Sequence, residues 1–443
     1  MLPKSSRRRV ILRLGLPIIG GMLTQSLLNL VDAALVGALG ASALAGVGIG
    51  GYAMFLITAM VFGLSSGVQS QTARRHGENA IAQRALALNA GLAIALAAAL
   101  PLTLLCLWQA PSLIGLINQQ PAVQAIAVEY FRWRVVALVP VAMIFCFRGY
   151  WNGIQRTGVY LRIMLIMHVV NVLASIGLIF GVAGLPRMGA AGAGAGTTVA
   201  MFVGLWIWSR YSHRHTGGSG GLFKRLPGRD TVLTTLRLAM PHSFQQLWFA
   251  TGYAVLFWIL GQIDTASVAV GHVLVNLSLL LILPGVGLGL AAMSLVGQAL
   301  GRESPDDAHR WGWDTVRVAC AGLTLLALPM LLAPEWVLGF FLHSDALIAM
   351  GRLPLQLTAL MIVFDATAIV LGQALLGAGA NRVVMTVTLA LQWLIFLPIA
   401  WWTGVILEYG LIGIWWTQLG YRCLNSLCFA LIWQRRHWQR LTV

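Results

Sequence analysis

The chain has 443 residues, of which 58% are hydrophobic and only 9% are charged, and its mean hydropathy is +0.81. About a quarter of the residues in an ordinary soluble protein are charged, so this composition excludes a soluble globular domain and indicates an integral membrane protein. The formal net charge of +16 would also fit a nucleic-acid-binding protein. The basic residues, however, follow the spacing of membrane loops, and we expect no nucleic-acid partner.

Twelve apolar stretches are long enough to cross a bilayer, which takes about 20 residues. The first follows the basic segment "KSSRRR" and has no small-residue cleavage site of the usual kind, so we interpret it as a transmembrane helix and not as a signal peptide. Twelve spans with short connections use almost the whole chain and leave no room for a soluble domain. The spans are centred near residues 25, 60, 96, 138, 170, 200, 248, 283, 323, 363, 394 and 420.

Basic residues concentrate before span 1 and after each even-numbered span, whereas the alternate loops contain few. Because cytoplasmic loops are enriched in Lys and Arg, we expect both termini in the cytoplasm, and the short arginine-rich loops suggest a bacterial inner membrane. The clusters comprise Lys4, Arg7, Arg8, Arg9 and Arg13; Arg74, Arg75 and Arg84; Arg148, Arg156 and Arg162; Arg210, Arg214, Lys224, Arg225, Arg229 and Arg237; Arg302, Arg310 and Arg317; Arg382; and Arg435, Arg436 and Arg440.

The chain contains two copies of one six-span unit. "RLGLP" at 13–17 recurs as "RLAMP" at 237–241, and further segments align at or close to the same displacement, which we call the repeat offset. Because each unit has an even number of spans, the two copies have the same orientation and form parallel repeats, as in many transporters that enclose a central cavity. We predict an N-lobe at 1–210, a flexible cytoplasmic linker at 211–230 and a C-lobe at 231–443.

Two of the thirteen acidic residues lie well inside the predicted spans, Asp32 in span 1 and Asp365 in span 10. A charged side chain at the bilayer centre costs about 2.5 to 3.5 kcal/mol on insertion scales, so such residues usually mark ion or substrate pathways. Gln25 and Asn29 precede Asp32 by seven and three residues and share its helix face. Pro17, on the same helix, weakens the backbone hydrogen bonding and is a candidate hinge.

Spans 5 and 6 offer further oxygen groups. On span 5, His168, Asn171 and Ser175 follow helical spacing, and span 6 carries Thr197. Carboxylate, amide and hydroxyl oxygens suit a hard cation such as Na⁺, so Asp32, Asn171, Ser175 and Thr197 form a candidate sodium site. A carboxyl group removed from water can instead bind a proton at physiological pH. The residues alone leave both coupling ions open.

The second half carries different chemistry. The position that matches Asp32 at the repeat offset is Leu256, and the intramembrane acid of this half is Asp365. Together with the amides Gln245 and Asn276, Asp365 would form a substrate site for a lipophilic organic cation in a cavity walled by Met, Phe and Trp.

These stretches resemble the multidrug and toxic compound extrusion (MATE) transporters of the multidrug/oligosaccharidyl-lipid/polysaccharide exporter superfamily. The resemblance covers nearly the whole chain and rests on "LPIIGGMLTQSLLNLVDAALVGALGASALAGVGIG", "RGYWNGIQRTGVY", "NVLASIGLIFG" and "FDATAIVLGQALLGAGANR". It implies an all-α fold with twelve helices in two lobes around a V-shaped cavity, and drug efflux in exchange for H⁺ or Na⁺. By resemblance, the matches to the family's functional residues are Asp32, Gln25, Asn171, Thr197 and Asp365.

Two departures from the family pattern favour protons over sodium. Many relatives carry an acid on span 5 where this chain has Ser175, and one subgroup carries an acid on span 7 where this chain reads "QQLWFAT". With fewer carboxylates there is less negative charge to hold sodium. We therefore expect an antiporter that exports drugs in exchange for H⁺, with Na⁺ as the alternative coupling ion.

Other functions fit the sequence less well. A lipid-linked oligosaccharide flippase of the same superfamily is the main alternative, but it would need a more cationic cavity. The sequence has no nucleotide-binding loop of the GxxxxGK[ST] kind and no nucleophile–base or metal-ligand pattern. We therefore expect neither an enzyme nor a primary pump. The expected partners are small organic cations and membrane lipid, the expected state is a monomer, and we expect no cofactor other than the coupling ion.

Overall fold

The computed structural model describes residues 3–216, 221–224 and 226–441, except for the side chains of Ala82 and Ala183. Part of the predicted linker, residues 217–220 and Arg225, lies outside the described residues. Every regular element within the described ranges is a helix.

The first half of the chain forms six spans, one of which consists of two helices. Short 3₁₀ turns at Ile81–Gln83 and Val182–Gly184 lie between helices, and Gly40, with φ of 111°, allows the tight connection between the first two. The helices are α1 (Ser5–Gly37), α2 (Ala41–Gly77), α3 (Arg84–Gly115), α4 (Pro121–Val136), α5 (Leu138–Gly153), α6 (Thr157–Phe180) and α7 (Ala190–His215).

The second half repeats this order. Its fifth span is interrupted by two π-helical segments, Ala390–Phe396 and Trp402–Ile406, with Pro398 between them. The helices are α8 (Arg229–Gly261), α9 (Thr265–Gly301), α10 (Pro305–Leu332), α11 (Pro334–Gly339), α12 (Asp345–Gly377), α13 (Asn381–Leu389), α14 (Leu397–Trp401) and α15 (Gly410–Arg435).

The number and positions of the predicted spans are confirmed. Within the described ranges, nine helical segments are long and apolar enough to cross a bilayer, and the bent pair α4 and α5 makes a tenth. The remaining two are α8 and α15, which have 33 and 26 residues and more polar side chains. Each predicted centre lies inside one of these twelve spans.

The fourth span is bent by 46° between α4 and α5, a feature that the sequence analysis missed. Ala137 separates the two helices, and Pro140 follows in the first turn of α5. Proline is tolerated in a first turn because its missing N–H would have no partner within the helix. The chain therefore starts a new helix here instead of extending α4.

The chain packs into two compact units whose boundaries lie inside helices. One unit contains the chain up to Ile19 and from Gln245 onward, and the other is Gly20–Phe244. The boundaries cut α1 and α8 at positions that match within one residue at the repeat offset. They differ from the predicted lobe boundaries, because the lobes follow the repeat and the units follow the packing. The division at 210 and 231 stays a prediction.

Matching glycines allow these half-helices to pack closely. In one unit, a Cβ on Gly287 of α9 would lie 2.6 Å from Ile19 of α1; in the other, a Cβ on Gly63 of α2 would lie 2.7 Å from the backbone nitrogen of Ser243 of α8. The Gly63 N–H donates to Ser243 Oγ (2.9 Å). Small residues let membrane helices approach to backbone contact, so the repeat preserves the packing as well as the sequence.

Candidate coupling and substrate sites

Asp32 lies near the C-terminal end of α1 and is partly buried. Its Oδ1 atom is inaccessible to solvent and accepts no hydrogen bond from the described residues. Gln25 and Asn29, about two turns and one turn before Asp32, bond to each other and not to the acid: Gln25 Nε2 donates to Asn29 Oδ1 (3.1 Å). A buried carboxylate oxygen without a partner is costly, which marks Asp32 as a group that gains from binding a proton or a cation.

Asn171 and Ser175 are fully buried on α6. Ser175 Oγ donates to Asn171 Oδ1 (3.2 Å), one turn away, as the predicted spacing requires. Among the described residues, the Asn171 Nδ2 group has no hydrogen-bond partner. This amide therefore presents an unused donor, which can bond to a carboxylate but repels a metal cation.

Thr197 completes the predicted set from α7. Its hydroxyl donates to the carbonyl oxygen of Ala193 (2.9 Å), which leaves its lone pairs available as acceptors. A Cβ on the neighbouring Gly196 would lie only 2.5 Å from Ser175 Oγ, so α6 and α7 touch at this level. Larger side chains at either position would force the two helices apart.

The register of the helices places the three polar positions at one level. Residues four apart lie on the same helix face, one turn along. Asp32, Ser175 and Thr197 are each four residues from a member of one buried cluster. The step from the polar residue to the cluster member goes forward along the chain in α1 and α6, which are odd-numbered spans, and backward in α7, which runs the opposite way. All three steps therefore lead in the same direction across the membrane. The three cluster members are Val36 of α1, Ile179 of α6 and Ala193 of α7.

Arg134 of α4 is the charged neighbour of this site. Its guanidinium attracts Asp32 electrostatically, but Nε and Nη1 are buried and make no hydrogen bond with the described residues. Arg134 was not among the site residues predicted from the sequence. A positive charge near Asp32 favours the ionised carboxylate and opposes any added cation, whether a proton, a metal ion or an organic cation.

An apolar groove of about 390 Å³ runs between α1 and α6. Leu28, one turn before Asp32, and Val172, next to Asn171, line it. Its polar members are His168 and Thr24, whose Nε2 and Oγ1 atoms are 3.2 Å apart. Ligand sites for small molecules commonly measure about 300 to 1,000 Å³, so this groove is large enough for part or all of a drug-sized molecule.

Asp365, the predicted substrate-binding acid of the second half, is paired with an arginine. It is buried on α12, and its Oδ1 accepts a hydrogen bond of 2.6 Å from Arg422 Nη1 of α15. Only 3% of Asp365 and 8% of Arg422 is exposed to solvent. The pair has no net charge, so Asp365 lacks the free negative charge that an organic cation would need. The available signal was Arg422 itself, a lone charge in the middle of span 12.

Gln245 and Asn276 form hydrogen bonds elsewhere. Gln245 Nε2 donates to Thr388 Oγ1 (3.3 Å). Asn276 is exposed and donates to the carbonyl oxygen of His272 (2.8 Å). Neither hydrogen-bonds to Asp365, so hydrogen bonding does not unite these three residues as a substrate site. Their role in binding substrate stays a prediction.

A small polar cavity of about 10 Å³, room for one water molecule, lies beside Arg422. Leu256, the match of Asp32, is among its lining residues. The side-chain oxygens of Gln392 and Gln418 and the Nε of Arg422 are buried without hydrogen bonds. Gln392 lies in the first π-helical segment, and such segments are frequent at functional sites.

Pro17 lies inside α1, which continues as a helix on both sides of it. The boundary between the two compact units follows two residues later, at Ile19. This position is compatible with a hinge, and its function as one stays a prediction. Across the described ranges, no three His, Cys, Asp or Glu side chains are grouped as metal ligands. Sodium would therefore have to rely on one carboxylate and neutral oxygens.

The model of the MatE family matches residues 17–177 and 241–402. The two matched segments begin at Pro17 and Pro241, which correspond at the repeat offset, and this confirms the internal repeat. Together they cover more than half of the chain.

Curated relatives and solved structures match over almost their full lengths. The probable multidrug resistance protein NorM of Agrobacterium fabrum is 28% identical over 93% of this chain and 90% of its own length. NorM of Pseudomonas aeruginosa is 27% identical over 94% and 87%. A multidrug resistance MATE family transporter of the MOP superfamily, solved in an outward-facing conformation, superposes with a TM-score of 0.89 at 21% identity, over 97% of this chain and 96% of its own.

A second solved structure has a distinct description. It is a MOP superfamily transporter from Pyrococcus furiosus, for which a reversed polarity of the binding pocket suggests a different function. It superposes with a TM-score of 0.88 at 21% identity, over 98% of this chain and 97% of its own. These likenesses confirm the predicted all-α fold with twelve transmembrane helices in two six-helix lobes.

Proposed function

The chain belongs to the MatE family and is therefore a multi-pass membrane transporter and not an enzyme, and we propose that it exports lipophilic organic cations in exchange for protons that bind at Asp32. The multidrug resistance proteins among its relatives support drugs as the class of substrate. Their bacterial sources, together with the arginine-rich loops, support a bacterial inner membrane with both termini in the cytoplasm.

The observation that carries the proposal is the contrast between the two intramembrane acids. Asp32 has a buried oxygen without a hydrogen bond, whereas Asp365 is paired with Arg422 at 2.6 Å. A proton exchanger needs a carboxylate whose charge changes during the cycle, and an ion pair with arginine keeps a carboxylate ionised. Asp32 is thus the acid suited to exchange.

Exchange follows from competition for this carboxylate. When ionised, Asp32 attracts an organic cation into the neighbouring groove; when protonated, it no longer does, and the cation leaves. A ligand shifts a conformational equilibrium only if its affinities for the two states differ. In this proposal, both the proton and the drug bind the two states with different affinities. A one-to-one exchange of a proton for a monovalent organic cation moves no net charge, so the pH gradient drives it, and one pH unit, about 1.4 kcal/mol, sustains a roughly tenfold drug concentration ratio.

The groove between α1 and α6 is a better place for the cation than the paired Asp365. Its apolar walls suit a lipophilic body, and Leu28 places it one turn from Asp32. Gln245 and Asn276, which belong to the other unit, remain predicted substrate-binding residues.

Sodium is the alternative coupling ion at Asp32, Asn171, Ser175 and Thr197. The unused Nδ2 donor of Asn171 disfavours a metal cation there. The flippase alternative calls for free positive charge in the interior. Arg422 is neutralised by Asp365, and Arg148 donates to Ser65 Oγ (3.2 Å) while lying over two phenylalanine rings. The neutralisation of Arg422 favours drug export, whereas Arg134 and Arg148 keep their positive charge.

The test is transport of ethidium, a fluorescent lipophilic cation, into or out of proteoliposomes under an imposed pH gradient. We expect movement that requires the gradient, is the same in sodium and choline buffers, and is lost in Asp32→Asn. Asp345→Asn, at an exposed helix start, is the matched control and should transport normally. Sodium dependence would overturn proton coupling, and retained transport in Asp32→Asn would overturn the role of Asp32.

A further inference from the structure

The strongest unexplained feature outside the coupling site is the buried pair of Asp365 and Arg422. The two charges come from helices α12 and α15, are 57 residues apart in sequence and meet at 2.6 Å. Removing two charges from solvent is costly even when they pair. Stability alone therefore does not explain why this pair is present.

The cavity beside Arg422 occupies the place of the coupling site in the repeat. Leu256 matches Asp32 at the repeat offset. Gln418 matches Thr197 at a displacement of 221, three residues short of the repeat offset, as "GLIG" at 410–413 matches "GAAG" at 189–192. Both line the cavity. The second half thus keeps the site but supplies its acid from α12 and its positive charge from α15.

The groups around the pair would suit a small cation if the guanidinium were absent. Gln392 and Gln418 each have a buried side-chain oxygen without a hydrogen bond, and Tyr253 and Tyr421 also line the cavity. One carboxylate with amide and phenol oxygens is the ligand chemistry of a hard cation such as Na⁺. In the protein, the Arg422 guanidinium takes the position next to the carboxylate.

We propose that Arg422 is a tethered counter-ion that fills the cation position of the second repeat and excludes sodium and organic cations from Asp365. Arginine suits this role because its guanidinium does not lose its proton in proteins and cannot diffuse away. The exclusion itself is independent of the coupling ion. Only the corollary, that the first repeat alone exchanges cations, rests on the proposed function.

The packing of α12 on α15 does not depend on this pair alone. Seven residues earlier on both helices, Trp415 Nε1 donates to Thr358 Oγ1 (2.9 Å), and both residues are buried. This second link runs along the same faces, two turns away. A variant without the guanidinium therefore keeps a hydrogen bond between the two helices.

The test is equilibrium binding of radioactive ²²Na⁺ to the purified full-length protein in lipid nanodiscs, with choline as the competing control salt. We expect no Asp365-dependent sodium binding in the wild-type protein. Arg422→Gln should gain about one sodium per chain, and the gain should vanish in Arg422→Gln/Asp365→Asn. Arg422→Lys, which retains a tethered positive charge, should behave like the wild type.

Two results would overturn the proposal: sodium binding by the wild type that is lost in Asp365→Asn, or a folded Arg422→Gln variant that binds no sodium. If Arg422→Gln does not fold, Arg422→Ala provides a second readout. Low millimolar guanidinium should raise the midpoint of thermal unfolding of Arg422→Ala. It should not raise the midpoint of Arg422→Ala/Asp365→Asn. Equal effects on both would also overturn the proposal.

The outcome is separable from that of the proposed function. Wild-type sodium binding that is lost in Asp32→Asn but retained in Asp365→Asn would contradict proton coupling and leave the role of Arg422 intact. Conversely, proton-driven ethidium transport together with sodium binding at Asp365 would support the coupling ion and refute the tethered counter-ion.

Discussion

Gly63 and Gly287 correspond at the repeat offset and hold the same place in the packing of their respective units. Each faces the first helix of a repeat, Gly63 the first half of α8 and Gly287 the first half of α1. A methyl group on Gly63 would collide with the backbone of α8, so this position requires glycine for reasons of space.

We therefore expect Gly63→Ala to lower the free energy of unfolding by about 1 to 3 kcal/mol, the usual cost of overpacking. The measurement is thermal unfolding of the purified protein in detergent. Gly48, also on α2, has no atom within 4 Å of an added Cβ, so Gly48→Ala should be neutral or slightly stabilising. Equal destabilisation by both variants would contradict the packing argument.

The buried ion pair predicts strong coupling between its two members. Arg422→Gln and Asp365→Asn should each cost about 3 to 5 kcal/mol, because each leaves an uncompensated buried charge. The double variant should cost less than the sum. The exposed pair of Arg352 and Glu335, at 3.0 Å, is the matched control and should couple by at most about 1 kcal/mol. Additive effects for Asp365 and Arg422 in a double-mutant cycle would rule out a direct interaction.

Arg7 ties the start of α1 to α10. It contacts Asp307 at 2.7 Å and Asp314 at 2.6 Å, and its guanidinium lies 3.7 Å from the centre of the Trp311 ring. We expect Arg7→Gln to cost about 1 to 2 kcal/mol, because a partly buried network with a cation–π contact exceeds a simple surface pair. Arg8→Gln, at an exposed position, should have little effect. The measurement is thermal unfolding at low and high NaCl. The difference in stability between Arg7→Gln and Arg8→Gln should shrink at high NaCl, because salt screens exposed charges.

Ser175 offers a direct test of what selects the coupling ion. Ser175→Asp adds a second carboxylate one turn from Asn171, and we expect ethidium transport to become dependent on sodium, because two negative charges hold a metal cation better than one. Ser175→Asn introduces a side chain of nearly the same size as aspartate but without its charge. It therefore controls for crowding against Gly196. If both variants behave alike in sodium and choline buffers, charge at this position does not select the ion.

Pro17 allows the hinge hypothesis to be separated from stability. Pro17→Ala restores a backbone hydrogen bond in α1 and should raise the midpoint of thermal unfolding. If α1 bends during transport, the same variant should slow ethidium transport several-fold. Pro101→Ala, inside α3, should stabilise without slowing transport. Unchanged transport in Pro17→Ala would exclude a hinge at this position.

The fold was largely predictable because about 20 apolar residues in succession have few alternatives to a membrane helix. The repeat was equally accessible, since Pro17 and Pro241 lie in recognisable matching segments. The break at Ala137 and the π-helical segments were not predicted. Both depend on local backbone geometry that an apolar run does not encode.

The candidate sites were predictable only where the contact is local. The bond between Asn171 and Ser175 follows from their spacing of four residues. The pair of Asp365 and Arg422 joins residues 57 apart, and only the folded chain reveals which faces of α12 and α15 meet. Arg134 was missed for the same reason, because its relation to Asp32 depends on how α4 packs.

The boundaries inside α1 and α8 have a consequence for the order of synthesis. The first half of α1 leaves the ribosome first, but the helices it packs against in its unit belong to the second repeat and are made last. The other unit cannot close until the first half of α8 has been added. Neither unit can therefore finish folding when only the first repeat has been made, since one still lacks the first half of α8 and the other lacks the rest of the second repeat.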